Sequence, residues 1–150
     1  VERLCAAFPK RFPGKVRCER FGLTPEGRPM IALVASADGT FEPAANVKKQ
    51  RPVVLLSGGI HAGEIDGKDA GFLLLRQLLE GKLSPGLLGR VTFVFVPVFN
   101  VDGHERFGPN HRPNQNGPEQ LGWRVTSQNL NLNRDWMKAD APSARMTARW

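Results

Sequence analysis

The chain contains no tyrosine, so no phenol from these 150 residues can take part in its chemistry. Cysteine is nearly absent too. Cys5 and Cys18 stand far from any metal-ligand spacing; they could close one disulfide or act as plain apolar fillers, and the filler reading is preferred. No apolar stretch approaches the ~20 residues of a membrane span, and the best, Val91–Phe99, suits a buried strand. Nor is there a dense Lys/Arg run or an RNP-type aromatic motif. The net charge of +7, from 21 basic and 14 acidic residues, is spread along the whole chain. It reads as a solvated surface with some pull on anionic substrates, and not as a nucleic-acid interface. Internal repeats, low-complexity tracts and a secretory signal are missing as well. The chain opens on Val1 and not on Met, so a leader could have been removed or never included; compartment and oligomeric state stay open.

What is present is ordinary globular composition, 41% hydrophobic and 23% charged over 150 residues. That is enough for one core, in a single domain or part of one. Val1, Leu4, Cys5 and Phe8 share one face of a short helix that Pro9 and Pro13 are expected to end. A hairpin follows, Val16–Phe21 and Met30–Ala35 about a turn at Thr24-Pro25-Glu26-Gly27. Residues 37–50 read as a polar loop. The continuous run Pro52–Ser57 suits a strand buried on both faces. From Asp66 to Glu80 the pattern is helical, with Asp66 as the expected cap, rows Ala70/Leu74/Leu78 and Gly71/Leu75/Leu79, and Gly81 as a stop. Val91–Val96 is the next strand, closed by Pro97. Strand, helix, strand makes a βαβ unit with parallel neighbours.

The most informative stretch is residues 53–69. A buried apolar run ends at Gly58-Gly59, and His61 and Glu64 follow three residues apart at the start of a helix. In open α/β sheets ligands bind where strands end. An imidazole and a carboxylate there can supply two of the three protein ligands of a catalytic zinc whose fourth position holds the reactive water. Beyond it, residues 100–135 lack periodicity but are rich in Asn, Arg, Gly and Pro. Long stretches of this kind tend to be functional, and Trp123, Leu130 and Leu132 argue for order. Asp102 with Gly103 reads as a turn whose carboxylate bonds nearby amides. Asp140-Ala141-Pro142 starts a last helix, continued by Ala144, Thr147 and Ala148, that reaches Trp150 without a stop signal. The expectation is a domain cut short.

Three ordered motifs, residues 58–64, Asn100-Val101-Asp102-Gly103 and Asn131-Leu132-Asn133-Arg134-Asp135-Trp136, resemble those of zinc carboxypeptidases of the carboxypeptidase A-like kind. The likeness spans roughly residues 20–150. It implies a three-layer α/β/α fold with a central mixed, largely parallel sheet, the chain forming the N-terminal part of one catalytic domain. It implies one zinc ion on His61 and Glu64, with the third ligand and the glutamate base beyond residue 150. Asn133 and Arg134 would then hold the free carboxylate of a peptide or acyl-amino-acid substrate. Arg124, following Trp123, would polarise the scissile carbonyl, with Arg112 and Arg106 as rivals. His104 and His111 would flank the cleft without binding metal. Two departures stand out. Ala62-Gly63 stands where many digestive members carry a substrate-binding arginine, and Asn131 replaces an aspartate behind the zinc histidine. An amide oxygen can still orient the imidazole but leaves it less basic. The implied activity is metal-assisted hydrolysis at peptide C-termini, with residues 1–150 alone binding zinc weakly and hydrolysing nothing. A desuccinylase or aspartoacylase-like amidohydrolase and a non-catalytic carboxylate-binding module are the alternatives.

Overall fold

A computed structural model describes residues 1–147 and Trp150; the expected helical position Ala148 lies outside the described residues. Alternating apolar residues from Val16 onward make β1 (Val16–Leu23) and β2 (Pro29–Ala35), which pair antiparallel as the expected hairpin. The aliphatic run makes β3 (Val53–Ser57), and Thr92–Val96 makes β4. Their order in the sheet is β1-β2-β4-β3. The sheet is mixed, as expected, but less parallel than expected. Only β3 and β4 run parallel, because only they are joined by a helical crossover, α3 (Asp66–Leu79).

Side chains alternate between two cores. Leu33, Ala35, Phe93 and Phe95 face Cys5 and Phe8 of α1 (Glu2–Arg11), Phe72, Leu75, Leu78 and Leu79 of α3, and Leu88 of α4 (Leu87–Arg90). Ala32, Val34, Val94 and Val96 face Phe99, Leu132 and Ala141 on the opposite side. That second layer is built from α5 (Val101–Glu105), a 3-10 turn over Leu132–Arg134, irregular chain, and α6 (Pro142–Thr147). Helix, sheet and covering segments form the three expected layers.

Several local expectations are corrected. Cys5 and Cys18 form a disulfide, not separate fillers, tying α1 to β1 with Cα atoms 5.3 Å apart. Helix α1 runs through Pro9 to Arg11: a proline within it removes one donor but leaves Cys5 and Phe8 buried against the sheet. Residues 37–50 contain α2 (Pro43–Lys48), whose N1 proline is a helix-start signal hidden among polar residues. Asp66 lies in the first turn of α3, behind an N-cap at Ile65, and of the two apolar rows the one with Gly71, Leu75 and Leu79 is buried, joined by Phe72 and Leu78. Strand β3 has β4 on one side only, so Val54 and Leu55 are exposed where burial on both faces was expected. The carboxylate ahead of α6 belongs to Asp135, which accepts the backbone N–H groups of Asp140 and Ala141 at 2.9 and 2.8 Å.

Candidate functional site

Pairing between β3 and β4 continues past both strand ends. Gly58 N–H donates to the Val96 carbonyl at 2.8 Å, and Phe99 and Asn100 donate back to the carbonyls of Gly58 and Gly59 at 2.9 and 3.0 Å. A Cβ on Gly58 would stand 2.7 Å from the Pro97 carbonyl oxygen, and Gly59 has φ +58°. Only glycines allow the chain to cross here and turn at once. The turn puts His61 and Glu64 on one side, with the Glu64 N–H donating to the His61 carbonyl at 2.9 Å. The His61 ring is buried, and its Nδ1 lies 3.1 Å from Glu64 Oε1.

The protonation of that ring follows from its neighbours. Asn131 Oδ1 accepts the Asn133 N–H at 3.1 Å, which fixes it as the oxygen end of the amide. The same oxygen lies 3.1 Å from His61 Nε2, so Nε2 carries a proton. In the neutral ring, Nδ1 then turns a lone pair toward a carboxylate oxygen. Two acceptors at that distance need a proton or a cation between them. One imidazole nitrogen and one carboxylate, the first oriented by an amide behind it, fit a zinc ion. Among the described residues no third His, Cys, Asp or Glu joins them.

Arginines surround the carboxylate. Arg112 Nη2 donates to Glu64 Oε1 at 2.9 Å, and Arg124 Nη1 stands 3.9 Å from the same oxygen. Burial alone would raise the Glu64 pKa, but the Arg112 hydrogen bond and the nearby His61 outweigh it and hold the group below the usual glutamate range. Arg112 is buried, whereas Arg124 is half exposed. The Arg112 stem fills the space over Gly63, where an added Cβ would come within 2.9 Å of Arg112 Cγ. A cation therefore does reach the place where the sequence showed only Ala62-Gly63. It comes from a loop 48 residues away, a pairing with no sequence signal beyond the glycine that makes room. Arg112 Nη1 is buried without a hydrogen-bond partner among the described residues. Beside Glu64 opens a cleft of about 380 Å³ lined by Gly63, Glu64, Asp66, Gln115, Asn116 and Leu121.

Asn133 and Arg134 lie exposed on the 3-10 turn that Asn131 begins. Arg134 Nη1 donates to the Asn133 carbonyl at 2.9 Å, and among the described residues no carboxylate pairs with its guanidinium. Arg106 is remote from the ligand pair, standing 3.5 Å from Glu26 Oε1. His104 Nδ1 contacts Glu105 and lines a separate hollow with Val1 and Glu2. His111 hydrogen-bonds the carbonyls of Arg106 and Leu121 and packs edge-on against Trp123, with centroids 4.9 Å apart. It braces the loop that carries Arg112. The Asp102 carboxylate differs from expectation: its partners are mostly distant in sequence, Thr24, Glu26, Arg28 and Ser127, not neighbouring amides.

Comparison with known proteins identifies the family and the fold. The family described as "Zinc carboxypeptidase" matches residues 1–148. The inactive metallocarboxypeptidase ECM14 of Saccharomyces cerevisiae is 32% identical over 123 residues, 75% of this chain and 27% of that protein. Carboxypeptidase B of Helicoverpa zea is 28% identical over 127 residues, 74% of this chain and 30% of its own. The crystal structure of a metallo-carboxypeptidase from Burkholderia cenocepacia superposes with TM-score 0.69 at 24% identity, over 97% of this chain and 35% of that one. Carboxypeptidase A from Helicoverpa armigera does so with TM-score 0.67 at 19% identity, over 96% and 39%. These two likenesses concern the fold. The chain spans less than a third of the length of the curated relatives it matches.

Proposed function

The chain belongs to the zinc carboxypeptidase family, and from that premise we propose that it supplies the N-terminal part of a metallopeptidase catalytic domain acting at peptide C-termini. His61 and Glu64 are two protein ligands of one zinc ion, and the third ligand and the general base come from outside residues 1–150. The observation that carries this reading is the approach of His61 Nδ1 to Glu64 Oε1 at 3.1 Å, with the ring proton held on Nε2 by Asn131. A zinc ion held by His61 and Glu64 would supply polarisation of the scissile carbonyl and a more acidic water. The rest falls to side chains. Asn133 and Arg134, with no carboxylate partner among the described residues, grip the free carboxylate of the peptide. Arg124 lends its charge to the carbonyl oxygen as negative charge grows there. Arg112 holds Glu64 ionised and in place.

The test uses the full-length zinc-loaded protein and three compounds: an N-blocked dipeptide, its C-terminal amide, and an N-acyl amino acid. The dipeptide should be cleaved and the amide spared, and residues 1–150 alone should cleave nothing. Faster cleavage of the acyl amino acid would make the protein a deacylase of the aspartoacylase kind. A second reading, a carboxylate-binding module without hydrolysis, is favoured by the relative whose name declares it inactive. Zinc-dependent binding of the dipeptide without turnover would establish that reading.

A further inference from the structure

The turn between β1 and β2 lies far from the metal-site motifs in sequence, yet it is tied to them through one buried carboxylate. Asp102 is 4% exposed. Its Oδ1 accepts from Thr24 Oγ1 at 2.6 Å and Arg28 Nη1 at 2.8 Å; its Oδ2 accepts from Ser127 Oγ at 2.9 Å and from the Glu26 N–H at 3.3 Å. Thr24 is itself fixed by the turn, its hydroxyl accepting the Arg28 N–H at 3.0 Å. A buried carboxylate with four donors is held tightly, and each lost donor leaves charge uncompensated.

The other half of the junction is the segment around Arg124. Trp123 N–H donates to the Gly103 carbonyl at 2.7 Å, Asn100 Nδ2 donates to the Arg124 carbonyl at 3.3 Å, and Ser127 meets Asp102. These bonds fall one residue before Arg124, on it, and three after it. Gly103 has no room for a side chain, since a Cβ there would stand 2.6 Å from the Trp123 carbonyl oxygen. The backbone of Arg124 is therefore clamped onto Asn100–Gly103, and Asp102 clamps that segment onto the hairpin turn. The side chain of Arg124, half exposed and 3.9 Å from Glu64, is the part left free.

We propose that Asp102, with Thr24 and Ser127, is a positioning device for Arg124, so that the β1–β2 turn is a working part of the site. This rests on the role given to Arg124 above. A guanidinium that stabilises charge in a transition state must be placed before the charge appears, and small displacements are costly.

The experiment is a double-mutant cycle in the full-length zinc-loaded protein, with Ser127→Ala and Thr24→Val each made alone and on Arg124→Ala. Each variant removes one donor to Asp102 and spares the buried charge, where Asp102→Asn could compromise folding; Thr24→Val also removes the acceptor of the Arg28 N–H, so Ser127→Ala is the cleaner arm. Each should lower kcat by roughly 10-fold with KM within about twofold, since displacement of a charge-stabilising group by a fraction of an ångström costs on that order. On Arg124→Ala neither should lower it further. Losses that multiply undiminished on Arg124→Ala, or a rise in KM alone, would overturn the proposal. If the wild-type protein cleaves no peptide, the proposed function fails, and hydrogen exchange decides the junction. Ser127→Ala should then speed exchange at the Trp123 N–H but not within β4, and unchanged Trp123 exchange would refute it.

Discussion

Gly63 and Arg112 share one small volume, and that sharing determines what stands beside Glu64. Because a methyl group at position 63 would meet the Arg112 stem at 2.9 Å, Gly63→Ala should push the guanidinium from its carboxylate. Overpacking of this kind costs ~1–3 kcal/mol, readable as a lower urea midpoint, and an unchanged midpoint would show that the loop yields freely. Asn131 acts on the opposite side of the ring. Removing the amide that orients a ligating imidazole typically weakens metal affinity ~10–100-fold, so Asn131→Ala should do so in a zinc titration against a competing chelator. Asp102 makes a third prediction at this scale. Burial alone would raise its pKa, but hydrogen bonds from Thr24, Arg28, Ser127 and the Glu26 amide hold it below the usual aspartate range. A group depressed in the folded state stabilises above its unfolded value of about 3.9 and loses that contribution as pH falls toward the folded value. Wild-type stability should therefore decline below about pH 4, and the decline should be shallower in Asp102→Asn by urea titration.

Elements differ in how openly the sequence announces them. The hairpin, β3, α3 and β4 are legible because period-two and helical periodicities write their cores directly into residue order. His61 and Glu64 stand out because a strand end and a tight turn precede them, whereas Asn131 and Arg124 are picked out only by the family resemblance, and loop folding brings them to that pair. Helix α2 is not legible in the sequence, its six residues offering one proline and little apolar pattern. Arg112 at Glu64 and Asp102 at Thr24 were invisible, since such pairings depend on how loops fold back and no periodicity encodes that. The cysteine pair belongs with them. Its spacing of 13 residues permits a disulfide without requiring one, and the decision is made by α1 settling over β1. Closing a loop of that size contributes about 3 kcal/mol, so a reductant should lower the urea midpoint accordingly. Equal midpoints with and without reductant would mean that burial of Phe8 alone holds α1 in place.

At the scale of the whole molecule the sheet is asymmetric. Strands β2 and β4 are buried between two layers, while β3 lies at the edge with Val54 and Leu55 exposed at 42% and 38%. An uncovered aliphatic edge strand is a template for association. Residues 1–150 expressed alone should self-associate in sedimentation, and Val54→Lys should reduce it; a monodisperse monomer would contradict this. The same edge carries the site, since Gly58, Gly59 and His61 follow directly from β3.

The proposed activity requires His61 and Glu64 to share one cation, and zinc titration of the full-length protein tests that most directly. One zinc per chain should bind, and His61→Ala and Glu64→Gln should each weaken it by at least about 10-fold, on the scale of losing one orienting contact or more. Zinc binding that neither substitution alters would contradict the account.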